Sequence, residues 1–455
     1  MTNDKVTRSC RPVVVRTGRR ATCLKSMSYA MRTGILVSIC RDVCGYRRAK
    51  PSAMQPAPPA ARPRPSLIQG TAARFNDSWR RAAASERLRD YAAIVLIAVA
   101  ARASCVAVGY LAMASAPIGT APTVRNLLTL MEGWDAGFYW SIALGGYDAP
   151  LPPGNTPGLL HAFFPVYPLL IRLTMAVARV DHIAAGVAVS SVLSTGALFL
   201  VREYVRELRM PREVGIAAAL LIAFAPHSFV FSAIYSESTF LFLLAAAMLA
   251  LRKRRYLLAG LLAAVLSAAR PNGVVFIVFA LAWTLQTMGW RAFAVPWTDP
   301  RPFLTVALAP LGLVAYWWFC YATTGDAFAQ ATAYAHVWGW SPDWPWVNLR
   351  NHLGGTVVER FWVVGSLAYF AASLLLLRYR LFAEFAFCFA CFVLYWTNVL
   401  PASLVRYSLV LFPIFIALAR ATVYRPAAVA ALVGVFATLN GFLMVAFVMT
   451  WVIAI

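Results

Sequence analysis

Two carboxylates, Asp135 and Asp148, share one aromatic stretch, WDAGFYWSIALGGYD, with Trp134, Phe138, Tyr139, Trp140 and Tyr147 around them. A carboxylate held against apolar rings loses hydration, and its basicity rises towards that of a useful general base. Rings beside it can stack on a sugar or lie in the headgroup belt of a membrane. The same residues also suit a plain interfacial helix with aromatic anchors. The stretch alone leaves catalysis and anchoring both open.

Other ionisable groups interrupt apolar sequence further on. Glu237 in YSES and Arg270 in ARPNG end neighbouring apolar blocks, where they can pair with each other or serve a ligand. Arg406 in PASLVRY is a second phosphate candidate, because a guanidinium matches phosphate oxygens in pairs. His161, at the head of HAFFPVYPLLIRL, can meet a phosphate or hydroxyl or be structural. Arg102 sits inside an apolar block, a functional candidate by default with snorkelling as the alternative. Cys388 and Cys391 make a CxxC within FAFCFACFVLYW, which reads as helix packing rather than a metal or redox site. A Walker loop, HExxH, GxSxG, a soluble Rossmann unit and a clear DxD are all missing, so ATP and nucleotide-sugar donors are disfavoured. No metal and no cofactor are expected.

The elements that must position these groups are helices in a membrane. Of 455 residues 61% are hydrophobic and 13% charged, against about 25% charged in globular chains. The apolar blocks are long enough for roughly 30 Å of hydrocarbon. Eleven spans are expected: Tyr91–Ala114, Ile183–Val201, Val214–Tyr235, Ser238–Leu251, Tyr256–Ala269, Gly273–Met288, Phe303–Tyr321, Val357–Leu377, Leu381–Leu400, Leu404–Ala421 and Ala427–Ile453. The net charge of +23 does not point to nucleic acid, because nineteen Lys and Arg against five Asp and Glu lie in residues 1–90. That segment, with its Pro/Ala linker Pro51–Ser66, is expected to be a disordered basic tail before a membrane domain at 91–455. It can touch anionic lipid headgroups.

With eleven spans, the tail and the basic segments Arg202–Glu213, Arg252–Arg255, Arg378–Arg380 and Arg420–Arg425 fall on one face, the cytoplasmic one by the positive-inside rule. The opposite face receives two long loops, 115–182 and 322–356, and the short turns Tyr235–Ser238, Ala269–Gly273 and Pro401–Tyr407. Long ordered loops are usually functional. HAFFPVYPLLIRL, with Pro165 and Pro168, reads as a helix lying along that surface.

Five segments, WDAGFYWSIALGGYD, AFFPVYPLLIRL, IYSESTFLFLL, LAAVLSAARPNGVVF and VRYSLVLFPIFIALA, together resemble the PIG-V family, relatives of the second mannosyltransferase of GPI-anchor assembly. The resemblance runs from about Trp134 to Ala419 and implies an all-α GT-C glycosyltransferase fold. It implies an inverting transfer of a hexose, mannose by family, from a polyprenyl-phosphate-linked donor to a glycan or lipid acceptor. It puts the family's W-D aspartate on Asp135 as general base, with Arg270 and Arg406 for the carrier phosphate. Trp134, Tyr139, Asp148, His161 and Glu237 are the other substrate-binding candidates. The Ala- and Arg-rich composition fits a bacterial inner membrane with the site facing the periplasm. A polytopic lipid or glycan transporter is the alternative; such proteins usually show two similar halves with spans interrupted at the midplane, and no internal repeat is visible here.

Overall fold

Prolines and the ends of apolar runs decide where the helices stop. The computed structural model describes residues 67–115, 128–129, 131–150, 158–294 and 299–454. The linker Pro51–Ser66 and the rest of residues 1–66 lie outside the described residues. The chain divides into Met1–Arg74 and a compact unit, Phe75–Ile455.

In chain order the main helices are α1 Leu67–Ser115, α2 Ala136–Gly145, α3 Val166–Ala178, α4 His182–Glu207, α5 Arg212–Phe224, α6 Glu237–Arg252, α7 Tyr256–Ala269 and α8 Phe276–Met288. They continue with α9 Arg301–Leu308, α10 Leu311–Thr324, α11 Ala329–Trp338, α12 Pro345–Leu353, α13 Val357–Ser373, α14 Phe382–Trp396, α15 Leu404–Leu409, α16 Phe412–Thr422 and α17 Pro426–Val448. Among the described residues the only extended pairing is an isolated bridge between Pro342 and Asn398. The all-α expectation therefore holds.

Six helical stretches among the described residues are long and apolar enough to cross a membrane: Ser85–Ser115, His182–Glu207, Pro271–Met288, Arg301–Thr324, Val357–Arg378 and Pro426–Val448. Helices α3, α7, α14 and α16 are apolar but shorter. The protein is thus an integral membrane protein with several spans. Two expected spans are broken. Val214–Tyr235 stops being helix at Phe224, because Ala225 precedes Pro226 and takes an extended ψ of 155°. Residues 225–236 then run without regular α-helix, through a single 3-10 turn at Ser228–Phe231. Every residue from 225 to 240 is buried, the condition under which irregular backbone is tolerated at membrane depth. The expected span Leu404–Ala421 is split before Phe412, with Pro413 in the first turn of the second piece. The first helix also begins at Leu67, well before the boundary expected at residue 90; Ala, Arg and Glu are strong helix formers even where no apolar period shows.

Long-range ion pairs tie the helices together. Asp90, 1% exposed, pairs with Arg202 and, at 2.9 Å, with Arg212. Glu384 takes Arg252 and a 2.5 Å hydrogen bond from the Tyr204 hydroxyl. Arg102 does not snorkel: it donates to the carbonyls of Ala98 and Ser191, both at 2.8 Å, and to the Ser194 hydroxyl. Arg202 lies twelve residues, or about 18 Å of helix, beyond Ser190 on α4. The Ser190 hydroxyl meets the Tyr235 carbonyl, in the buried loop 225–236, at 3.4 Å.

Candidate active site

The segment 131–135 is fixed to the buried loop 225–236 before α2 begins. Ile234 donates its backbone N–H to the Met131 carbonyl at 3.2 Å, and the Tyr235 hydroxyl donates to the Gly133 carbonyl at 3.3 Å. Trp134 is held at φ 59° in the left-handed region, which costs a non-glycine residue about 1–3 kcal/mol and is tolerated where the surroundings over-determine it. Its indole N–H is buried and has no partner among the described residues. Asp135 follows at the N-terminal boundary of α2, but its carboxylate makes no capping bond. The acid is free to turn elsewhere.

It turns to Arg406. Arg406 Nη2 donates to Asp135 Oδ2 at 3.0 Å and to the Ser403 hydroxyl at 2.9 Å. Arg406 Nε lies 3.5 Å from Glu237 Oε1, and Glu237 Oε1 accepts a 2.7 Å contact from Arg270 Nη1. The result is an alternating chain, Asp135–Arg406–Glu237–Arg270, formally neutral. Its inner members are sealed, Arg406 at 4% and Glu237 at 1% exposure, whereas the Asp135 side chain is 30% exposed. The open end of the chain is the carboxylate.

Tyrosines line this chain. Arg406 lies over the rings of Tyr235 at 4.9 Å and Tyr407 at 5.5 Å, and Arg270 over Tyr407 at 5.0 Å, each a favourable cation–π arrangement. The Tyr139 hydroxyl exchanges a 2.8 Å hydrogen bond with Ser236, next to Glu237, and burial raises its pKa. Glu132, three residues before Asp135, has its carboxyl raised by desolvation, with His182 opposing. The turns Tyr235–Ser238 and Pro401–Tyr407 were expected at the outer surface. Instead Tyr235, Ser236, Glu237 and Ser238 are all at or below 1% exposure, and Arg406 is nearly as buried. They form the floor of the site, beneath the segment 131–135 that bonds to Ile234 and Tyr235.

His161 and Asp148 belong to a neighbouring cluster rather than to the ionic chain. The His161 ring is buried against Tyr147 at 5.0 Å, its Nε2 lies 3.4 Å from the Thr323 hydroxyl, and its Nδ1 has no partner among the described residues. Burial lowers its pKa, opposed by the Gly158 carbonyl and by Asp148. Asp148 itself is exposed. Phe163 joins the clusters: Tyr139 meets its ring edge-on at 5.1 Å, and its carbonyl accepts from the Tyr147 hydroxyl at 2.8 Å. The loop 322–356 packs against Phe163 and its neighbour Phe138, with Trp338 edge-on to Phe138 at 6.4 Å and to Phe163 at 6.0 Å.

Beside Tyr147 an apolar cavity of about 390 Å³ opens between α2, α3, α7 and α10, bordered by Pro168, Leu169, Arg172, Tyr316 and Phe319. Leu169, Leu173 and Val177, each four residues apart on α3, present more than half of their surface outward, as a helix lying against lipid would. Sequence reasoning passed over two groups here. Ser403 steadies Arg406, and His227, fully buried at φ 65°, has both ring nitrogens unpartnered among the described residues. The dipeptide Pro226-His227 carries no signal of the kind that marks Asp135.

An all-helical membrane protein with several spans, and with a buried ionic chain ending in one accessible carboxylate, has the makings of an integral membrane enzyme. The chain belongs to the family described as Mannosyltransferase (PIG-V), whose model matches residues 92–406. That span contains every candidate site residue and ends on Arg406. Comparison with curated proteins finds no match. Membership supports membrane glycosyltransferase activity of the mannosyltransferase kind, with a sugar donor and an acceptor as substrates.

Proposed function

We propose that the protein transfers mannose from a polyprenyl-phosphate-linked donor to a glycan or lipid acceptor, with inversion, on the outer face of a bacterial inner membrane. The carrying observation is the neutral chain Asp135–Arg406–Glu237–Arg270, sealed in its middle and most exposed at its carboxylate end, Asp135. In this reading Asp135 takes the proton of the acceptor hydroxyl as that oxygen bonds to the sugar's anomeric carbon. The bond from that carbon to the phosphate oxygen breaks on the opposite face, and polyprenyl phosphate departs with the electron pair.

Charge balance makes the pairing useful rather than wasteful. Before reaction the two arginines are matched by two carboxylates. Once Asp135 is protonated, the chain carries one surplus positive charge, spread over Arg406 and Arg270, at the moment the leaving phosphate gains a negative one. Stabilisation is thereby weighted to the transition state, which is where it accelerates the step. Arg270, with 15% of its side chain exposed against 4% for Arg406, is the nearer phosphate contact; Arg406 mainly positions Asp135. Trp134 and Tyr139 shape the sugar's surroundings, and His161 and Asp148 border the acceptor side. The apolar cavity by Tyr147 and Arg172 suits the first isoprene units of the carrier. The GT-C fold, the eleven spans, and a catalytic unit at 91–455 preceded by a dispensable tail complete this reading.

The test is transfer of labelled mannose from polyprenyl-phosphate-mannose by purified full-length protein in detergent, where transport has no meaning. Mannosylated product from the wild type and at least about 100-fold slower transfer by Asp135→Asn is the expected outcome. Absence of any lipid-donor activity, across a panel of acceptors with correctly folded protein, would refute it.

A further inference from the structure

The second outer loop carries a feature that the ionic site does not use. Trp344 and Trp346 are 64% and 63% exposed, yet their rings stack on each other, with centroids 4.9 Å apart and planes 20° from parallel. They border an open cleft of about 480 Å³ with Asp343 and Thr397. The platform under them is rigid. Asp343 N–H donates to the Thr397 carbonyl at 2.8 Å, Val399 N–H donates to the Ser341 carbonyl at 3.1 Å, and the Asn348 side-chain amide donates to the Trp396 carbonyl at 3.0 Å. One Asp343 oxygen accepts from the Trp344 N–H at 2.6 Å. The other has no partner among the described residues.

We infer that this cleft is a saccharide subsite, holding pyranose rings of the acceptor glycan at a distance from the reacting hydroxyl. Indole faces offer the flat, apolar, polarisable and electron-rich surface that the C–H face of a pyranose packs against, and a fixed carboxylate oxygen accepts from ring hydroxyls. Preorganisation by the backbone bonds lowers the ordering cost of binding. A membrane anchor would also use tryptophan, but a carboxylate beside the indoles, with exposed Arg350 and Asn351 on the same short helix, suits water rather than hydrocarbon. Position favours the acceptor as well. Trp344 lies six positions after Trp338, which packs on Phe138 one helical turn after Asp135; an extended chain of that length covers at most about 22 Å. An oligosaccharide, not a monosaccharide, would bridge the two points.

The inference rests on the proposed glycan acceptor, and its test is separable from it. Mannotriose is titrated into the full chain in nanodiscs and binding followed by saturation-transfer NMR. Trp344→Ala and Trp346→Ala should each weaken binding at least tenfold, the Phe variants should retain most of it, and Trp290→Ala, at an exposed tryptophan outside both sites, should bind like the wild type. Loss of binding in the Trp variants alongside normal transfer by Asp135→Asn would sink the catalytic proposal and leave the subsite standing. Failure of the wild type to bind mannotriose overturns the subsite, as does unchanged binding by both Ala variants. Strong quenching by brominated acyl chains of the emission that the Trp344→Phe/Trp346→Phe variant lacks also overturns it, because the indoles would then lie in the bilayer.

Discussion

Replacing Asp135 by Asn separates the two jobs that the structure gives this acid. Asn keeps the size and one hydrogen-bond acceptor for Arg406 Nη2, now 3.0 Å away, but it cannot accept a proton from an acceptor hydroxyl. General-base removal costs about 10²- to 10⁴-fold, or about 2.7–5.5 kcal/mol in barrier. The structural cost should be far smaller. Removing one member of a fully buried ion pair costs about 3–5 kcal/mol, but the Asp135 side chain is 30% exposed and Arg406 keeps Glu237 and Ser403 as partners. Solvent screening and those partners bring the penalty down towards the range of exposed pairs, about 1 kcal/mol. The assay is mannose transfer from polyprenyl-phosphate-mannose, with variant abundance and melting temperature measured on the same preparations. Asp148→Asn is the control: the exposed residue lies by His161, outside the ionic chain, so its loss should be within about tenfold, far short of base removal. Near wild-type transfer by Asp135→Asn alongside a dead Asp148→Asn would move the base to the other carboxylate. Activity in both would return the acidic loop to a membrane anchor. A dead Asp135→Asn that is also unfolded would show that the pair's work is structural.

Arg406→Lys keeps the charge but loses the planar fork that reaches Asp135, Ser403 and Glu237 together, so transfer should fall at least about tenfold with abundance kept; Arg406→Ala should lower abundance itself, read by immunoblot of membranes, because Glu237 at 1% exposure loses a neighbour. Because burial lowers the pKa of His161, the native state resists taking a proton that the unfolded chain accepts below about pH 6.5. Its contribution to stability is therefore complete above that pH and declines as pH falls towards the lowered native value; thermal melts from pH 8 to 5 should show this slope, and His161→Gln should flatten it. A cysteine at Asp343 should react with an impermeant thiol reagent added outside intact cells while one at Lys253 should not; the reverse pattern would invert the proposed orientation.

How much of this was legible depended on sequence distance and on whether burial changes composition. The loop around Asp135 stood out because acids and aromatics are rare between apolar blocks, and Glu237 with Arg270 could be paired because their blocks are adjacent. The Arg406–Asp135 pair spans 271 residues, and nothing local in either segment points to the other. The break after Phe224 was hidden for a different reason. A buried irregular segment and a buried helix draw on the same apolar residues, so residues 225–235 extended the apolar run, and only Pro226 hinted at the stop. The helical stretch from Leu67 escaped notice because its Ala- and Arg-rich sequence has propensity without an apolar stripe. His227 left no trace at all.

The anchoring of Arg102 has a consequence for biosynthesis. Its guanidinium reaches partners on α4: Nη2 donates to the carbonyl of Ser191, 89 residues later in the chain, while Nε has no partner among the described residues. At roughly 5–20 residues per second of synthesis, the first helix waits roughly 5–20 s for that partner. A central arginine raises the cost of entering lipid by about 2.5–3.5 kcal/mol on insertion scales. During that interval the nascent α1 is better accommodated at the lateral gate of the insertion machinery, or beside a chaperone, than in the bilayer. Release of the first helix would then be timed by the arrival of α4, making the pair an assembly checkpoint for everything that follows.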